Sequence, residues 1–294
     1  MTSLPMPPKT QAFLPALWRD GNMVQRLALV IGLALIAMAI LAPLIAPFSP
    51  TSQSLLGRLK PPAGFEGARP GNLLGTDELG RDVASRALYG LRLTLSLAFL
   101  GASLGLLIGG TLGMLAGLRG GRTEAAIMGA VDTQIAIPFT LVALFLLTIF
   151  GNSLEVMVIV LGLSGWEQYA RIIRADVSRL MRLPFIEAAR CAGAAPMRIA
   201  IRHLLPNIVS PLVVQFTLSL SSIILLESTL SFLGLGVQPP TATLGAMVGV
   251  GRDYMPTAPW IVLVPAFLIL TVTFAVQILG DWLRDRADVR LRSR

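Results

Sequence analysis

The sequence predicts an all-α, polytopic membrane protein with six transmembrane helices and both termini on the cytoplasmic side. Three observations predict it. Of 294 residues, 54% are hydrophobic and only 14% are charged, whereas a soluble domain is about a quarter charged; mean hydropathy is +0.73. The apolar residues gather into long runs almost free of charge. The basic residues gather in the gaps between runs, and unequally in alternate gaps.

The same composition excludes other classes. Intrinsic disorder fails, because so apolar a chain has ample surface to bury. A disulfide scaffold fails, because Cys191 is the only cysteine. A closed Cys/His metal site wants four ligands, and His203 is the only histidine. A net charge of +8 and a pI near 10.9 would suit nucleic acid, but such uncharged runs have no place on a soluble nucleic-acid-binding domain. A cytoplasmic membrane face attracts the same arginine excess, so no nucleic-acid partner is expected.

A spanning helix needs about 20 predominantly apolar residues. The first run extends from Leu27 to Pro47 without a charge. The second runs from about Leu93 to Leu118, and the third from about Ile127 to Phe150 with Asp132 inside it. The fourth, from about Leu154 to Trp166, opens with Glu155 and is short; it is expected to continue helically into EQYARIIRADV. The fifth runs from Ile208 to about Phe232 and holds Glu227; the sixth, from Trp260 to Gly280, is uncharged.

Orientation follows from Lys and Arg. With both termini inside, only Arg58, Lys60, Arg69, Arg81, Arg86, Arg92 and Arg252 of the 24 basic residues fall outside. Residues 1–26 and 281–294 are then cytoplasmic tails, 48–92 a periplasmic segment, and 93–280 a five-helix core with a cytoplasmic loop at about 167–207. The first run is too long, and too far from the start, for a cleaved signal peptide, so it is expected to remain as an anchor.

Catalysis is not expected. A phosphate loop needs Gly-x4-Gly-Lys-Ser/Thr, and the only lysines, Lys9 and Lys60, follow Pro8 and Leu59. No HExxH is present, and no nucleophile has a plausible histidine partner. No cofactor or metal is expected in this chain.

Other features point to packing or passage. Gly101, Gly105, Gly109, Gly113 and Gly117 recur every four residues along the second span. Such a stripe lets another helix approach closely, either within the chain or beside a translocation path. Asp132 and Glu227 are acids at membrane depth, where a charge costs about 2.5–3.5 kcal/mol on insertion scales. They face either a substrate or proton path, or a structural hydrogen bond or ion pair, with Arg122 in reach of Asp132. In the loop Arg182-Leu-Pro-Phe-Ile-Glu187-Ala188-Ala189-Arg-Cys-Ala-Gly193, Pro184 opens a short helix and Glu187 complements its N-terminus. Gly193 closes that helix or takes the positive φ of a turn. A second short helix follows, which Pro206 is expected to stop before the fifth span. The pair reads either as a solvated connector or as a docking elbow.

Glu187-Ala188-Ala189, three residues, Gly193, nine residues and then x-x-Leu205-Pro206 resemble the EAA loop of bacterial ABC importer permeases. His203 stands where the general pattern has isoleucine; His-Leu-Leu-Pro-Asn is similar to the peptide and nickel branch. So are Asn72-Leu-Leu-Gly-Thr-Asp-Glu-Leu-Gly-Arg-Asp82, Glu227-Ser-Thr-Leu-Ser-Phe-Leu-Gly-Leu-Gly236 and Gly280-Asp-Trp-Leu-Arg-Asp285. The resemblance runs from about Leu27 to Arg292 and is nearest to the second, C-type, permease subunit of dipeptide, oligopeptide and nickel importers.

It implies a type I ABC importer permease fold in the bacterial inner membrane. The partners implied are a second homologous permease, two ATPase subunits that bind ATP and Mg, an extracytoplasmic substrate-binding protein, and the bilayer. The stretch Glu187–Gly193 would be the coupling helix, with His203, Leu205 and Pro206 completing the motif. The competing reading is a proton-coupled secondary transporter using Asp132 and Glu227; such folds often carry internal repeats, and no convincing repeat relates the halves here.

Overall fold

The computed structural model describes residues 21–287. Lys9, Arg19, Arg290, Arg292 and Arg294, counted above toward orientation, lie outside the described residues. Helix α1 (Met23–Ile45) starts at a reciprocal cap: Asn22 Oδ1 accepts the Gln25 N–H at 3.0 Å, and Gln25 Oε1 accepts the Asn22 N–H at 2.9 Å. At 1.5 Å per residue its 23 residues span about 34 Å, enough for a hydrocarbon core of about 30 Å.

Residues 46–82 fold over one end of the bundle without long regular structure. Helix α2 (Val83–Arg119) follows and is the central pillar: α1, α5, α6 and α9 all pack on it. Gly120 and Gly121, both at positive φ (63° and 54°), turn the chain into α3 (Gly121–Ala136).

Helix α4 (Phe139–Phe150) meets α3 at an 89° bend, so the third crossing is a broken one. Sequence reading made this run continuous. Pro138 lacks an N–H and forces the residue before it out of the helical region; Ile137 sits at φ −105°, ψ 129°. A tight turn at 151–153 then leads to α5 (Leu154–Leu163) and α6 (Trp166–Leu180), separated only by Ser164 and by Gly165 at φ 113°. The fourth span therefore does continue helically, as expected, as far as Leu180.

Two short helices, α7 (Pro184–Cys191) and α8 (Pro196–Ile199), form an elbow. A wide helical turn at Ala200–Leu204 joins α8 to α9 (Leu205–Phe232), giving one unbroken path from Pro196 to Phe232. The expected stop at Pro206 does not occur. A proline ring clashes with the carbonyl four residues back in a regular helix, and the wider turn before Pro206 accommodates it. Helix α10 (Leu244–Gly251), not foreseen from sequence, is too short to cross; it packs between α9, α11 and α2. Helix α11 (Trp260–Ala287) completes six crossings, the bent pair counted as one.

The second span's helix begins at Val83, well before the Leu93 expected. The cause is Asp82, whose Oδ2 accepts the Ser85 N–H at 2.8 Å and caps the helix. The main core lies where α2, α4, α5, α9 and α10 meet, around Leu97, Leu147, Leu161, Ile224 and Leu244.

Candidate functional site

The elbow is fixed to the bundle from below. Ile186, fully buried, and Ile199 join Ile173, Val177, Leu180, Leu204 and Ile208 in one cluster. The other face of α7 stands clear: Glu187, Ala188, Arg190, Cys191 and Gly193 are exposed and Ala189 is half-buried. Pro184 starts α7, where its missing N–H costs nothing. Gly193 ends it at φ 79°, where no atom lies within 4 Å of an added Cβ. The Ala194 N–H reaches the Ala189 carbonyl at 3.0 Å and the Gly193 N–H the Arg190 carbonyl at 2.9 Å, which closes the last turn. Glycine is required here for backbone conformation, not for packing.

The rest of the motif lies apart from that face. His203 stands 6.4 Å, centroid to centroid, from Phe185, and its carbonyl accepts the Asn207 side-chain amide at 2.6 Å. Leu205 and Pro206 are exposed at the root of α9. Glu187 to Gly193 thus form an exposed tip, and His203 to Pro206 lie behind it in the helical path that leads into α9.

The glycine stripe of α2 faces α5 and α6 of the same chain. A Cβ on Gly101 would meet Leu161 Cβ at 2.9 Å, on Gly105 the Gly162 carbonyl at 3.0 Å, and on Gly113 the Ala170 carbonyl at 2.6 Å. On Gly109 it would meet the Trp166 carbonyl, and on Gly117 the Val177 side chain at 2.6 Å. The stripe is internal helix packing of the close-approach kind.

The two acids singled out from sequence part company. Asp132 is exposed and pairs with Arg171 at 2.8 Å, not with Arg122. Glu227 is fully buried; Ser231 Oγ donates to its Oε1 at 2.7 Å. Thr243 and Thr94 lie on the same side, with the Leu244 N–H donating to Thr94 Oγ1 at 3.2 Å. Glu227 belongs to a buried polar knot that pins α10 to α9 and α2.

Two polar constellations lie outside the site residues expected from sequence, although the first falls in the Asn72–Asp82 motif singled out there. In the first, Asp77 accepts the N–H groups of Leu79 (2.9 Å) and Arg81 (2.8 Å) and pairs with Arg81 Nε at 2.6 Å, while Arg86 Nε lies 3.3 Å away. Arg81 also pairs with Glu78. Asn72 donates to Asp82 at 2.8 Å, and Trp260 Nε1 to the Thr76 carbonyl at 3.1 Å. The motif between Asn72 and Asp82 is therefore a folded plinth for α2 and α11. In the second, Trp166 Nε1 donates to Gln134 Oε1 at 2.6 Å, and Gln134 Nε2 donates to the Leu163 carbonyl at 2.7 Å and to Glu167 Oε2 at 3.0 Å. This links the breaks in the third and fourth spans. Among the described residues no three of His, Cys, Asp or Glu gather as a metal cluster would require.

Six apolar crossings joined by an exposed elbow define the class as a multi-pass membrane protein. Residues 109–289 match the model of the binding-protein-dependent transport system inner membrane component, and residues 22–62 that of the N-terminal transmembrane domain of oligopeptide transport permease C. The chain belongs to this family: it is an inner-membrane permease subunit of an ABC importer. It is 35% identical to the dipeptide transport system permease protein DppC of Haemophilus influenzae, over 99% of each chain. It is 40% identical to the di/tripeptide transport system permease protein DppC of Pseudomonas aeruginosa, over 89% of this chain and 86% of that one. The oligopeptide transport system permease protein OppC of Bacillus subtilis is 33% identical over 94% and 91%. Inward-facing structures of the MetNI methionine ABC transporter share the fold, with TM-scores of 0.51 and 0.53 at 24% and 22% identity. They cover 67% and 69% of this chain and 94% and 96% of theirs.

Proposed function

We propose that this chain is one of two membrane halves of a peptide importer, and that its elbow couples the pore to separate ATPase subunits in the cytosol. The observation that carries the reading is the exposed tip from Glu187 to Gly193, anchored by Ile186 and presented away from the bundle. A carboxylate in the first turn of a solvent-facing helix, with no intrachain ion pair among the described residues, is a ready hydrogen-bond acceptor for a partner's cleft. Gly193 permits the bend that returns the chain to α8. The reading places the elbow and both termini inside, with residues 46–82 facing the substrate-binding protein. Peptides are the favoured cargo, because the relatives are named for them; nickel complexes and other small solutes follow.

The mechanism is then one of linkage. Two ATPase subunits hold ATP and Mg, and ATP binding favours their closed dimer. Closure draws the elbows of this chain and of its homologous partner together and rocks the crossings from inward-open to outward-open. ATP shifts that equilibrium only to the extent that it binds the two states unequally. The acids give no comparable basis for proton coupling: Asp132 is ion-paired, and Glu227 is sealed from every aqueous face.

Glu187→Lys tests the coupling role. It should abolish ATP-dependent uptake and weaken association with the ATPase subunits while leaving membrane insertion and thermal midpoint unchanged. Normal uptake by the variant would refute the role.

A further inference from the structure

The breaks in the third and fourth crossings lie side by side, joined through Gln134, which bonds to Leu163, Glu167 and Trp166. The first break, at Ile137 and Pro138, carries the 89° bend. The second, at Ser164 and Gly165, lies opposite Gly105 and Gly109, in the C-terminal half of the 37-residue α2. Irregular backbone at membrane depth is tolerated only where it is buried in protein or lines a water-filled cavity. Here a cavity of about 260 Å³ opens between the breaks and the middle of α9, lined by Phe139, Thr140, Ser164, Glu167, Ser219 and Ser222. In secondary transporters, discontinuous helices hold polar substrate groups, and the same backbone physics applies to a broken helix in any membrane bundle.

Resting on the peptide-importer reading, we propose that this cavity is a way-station of the translocation path and takes the ammonium group of the peptide in transit, with Glu167 as its counter-charge. Glu167 is held in place: its Oε2 accepts the Gly165 N–H at 2.9 Å and the Gln134 amide at 3.0 Å. Among the described residues no salt bridge reaches it. Arg171, one turn along α6, pairs with Asp132 at 2.8 Å, and Arg174 with Glu124 at 3.0 Å. Arg171 acts on Glu167 electrostatically from one turn away but makes its ion pair with Asp132; an acid inside a span that makes no ion pair of its own faces water, protein or a substrate. The lining adds the hydroxyls of Thr140, Ser164, Ser219 and Ser222, acceptors of the kind an –NH₃⁺ group with three donors can use. Gln168 beside it is fixed by Gln215 at 2.6 Å. One carboxylate among hydroxyls suits an ammonium better than a metal ion, which would want several charged ligands. The volume lies below the roughly 300–1,000 Å³ of a site that encloses a drug-sized ligand. The cavity therefore grips one end of a peptide and leaves the remainder in the pore, as transit requires.

The test uses the complete transporter with its binding protein in proteoliposomes and trialanine as the probe, read as peptides imported per ATP hydrolysed. Glu167→Gln should lower that ratio about tenfold, and Glu167→Asp should restore at least half of it. An unchanged ratio overturns the proposal. So does a fall of import and hydrolysis in step, because that marks a structural role alone. Independently, Ser222→Cys in a Cys191→Ser chain should react with a charged, membrane-impermeant thiol reagent, and trialanine with its binding protein should slow the reaction. Absence of reaction in assembled transporter places the cavity against lipid and overturns the proposal. Failure of the unaltered transporter to import trialanine overturns the peptide reading itself and takes this subsite with it. A normal wild-type ratio with no effect at Glu167 sinks the subsite alone.

Discussion

The carbonyl of Trp166 occupies the space that a Cβ on Gly109 would need. Tyr169 Cβ crowds the same point at 2.8 Å. The first residue of α6 is thereby pressed against the C-terminal half of α2, directly beyond the break that interrupts the fourth crossing.

Gly109→Leu should therefore destabilise the bundle. Overpacking a dense interior costs about 1–3 kcal/mol, and backbone as well as side chain must move here. Chemical unfolding in detergent should show the loss. Gly129→Ala, where an added Cβ meets open space inside a helix, should leave the midpoint unchanged or raise it, since alanine is about 0.5–1 kcal/mol better than glycine in a helix interior.

Asp82→Ala removes the cap of α2 together with the acceptor of Asn72. Loss of an N-cap costs about 0.5–2 kcal/mol; the stranded Asn72 amide should bring this change to the upper end. Limited proteolysis within residues 46–82 should accelerate. Asp82→Asn keeps an acceptor for the Ser85 N–H and should lose less.

At Gly193 the expected effect is local. A left-handed conformation costs a residue with a Cβ roughly 1–2 kcal/mol, and nothing else there resists a side chain. Gly193→Ala should raise amide exchange across residues 184–195 while global unfolding stays put. Gly193→Asn should do so less, because asparagine tolerates this region.

For Asp132 and Arg171, 69% and 54% exposed, a double-mutant cycle with Asp132→Ala and Arg171→Ala should return a coupling of about 0.2–1 kcal/mol. The exchange Asp132→Arg with Arg171→Asp should recover most of what either reversal loses alone. A coupling of zero would mean that the pair holds nothing together.

The crossings were legible because bilayer thickness imposes a length on apolar runs, and the runs from Leu27, Ile127 and Trp260 meet it without help from tertiary contacts. The break at Ile137 was not, because a hydropathy window registers polarity and not a missing N–H; Pro138 was the signal available. Pro206 misled in the opposite direction, since the wide turn at Ala200–Leu204 is a backbone choice that no side chain announces. The exposed tip at Glu187 followed from short-range rules: proline first, acid in the first turn, glycine last. Glu167 escaped because its partner Gln134 is 33 residues away, and because the arginines downstream assigned the stretch to the cytoplasmic side. Asp132 and Glu227 drew attention for being acids inside apolar runs, yet the fold gives one an ion pair and the other a hydroxyl.

Ile186 is the one residue of α7 that is fully enclosed. Apart from half-buried Ala189 and the contacts of Arg190 with Met181 and of Phe185 with His203, nothing else on this short rod is packed, so Ile186 is its main point of attachment to the bundle. On the proposed coupling role, a partner seated over Glu187 and Arg190 works a lever whose fulcrum is an isoleucine. Trimming that fulcrum to alanine would then slacken the linkage without altering the exposed flank.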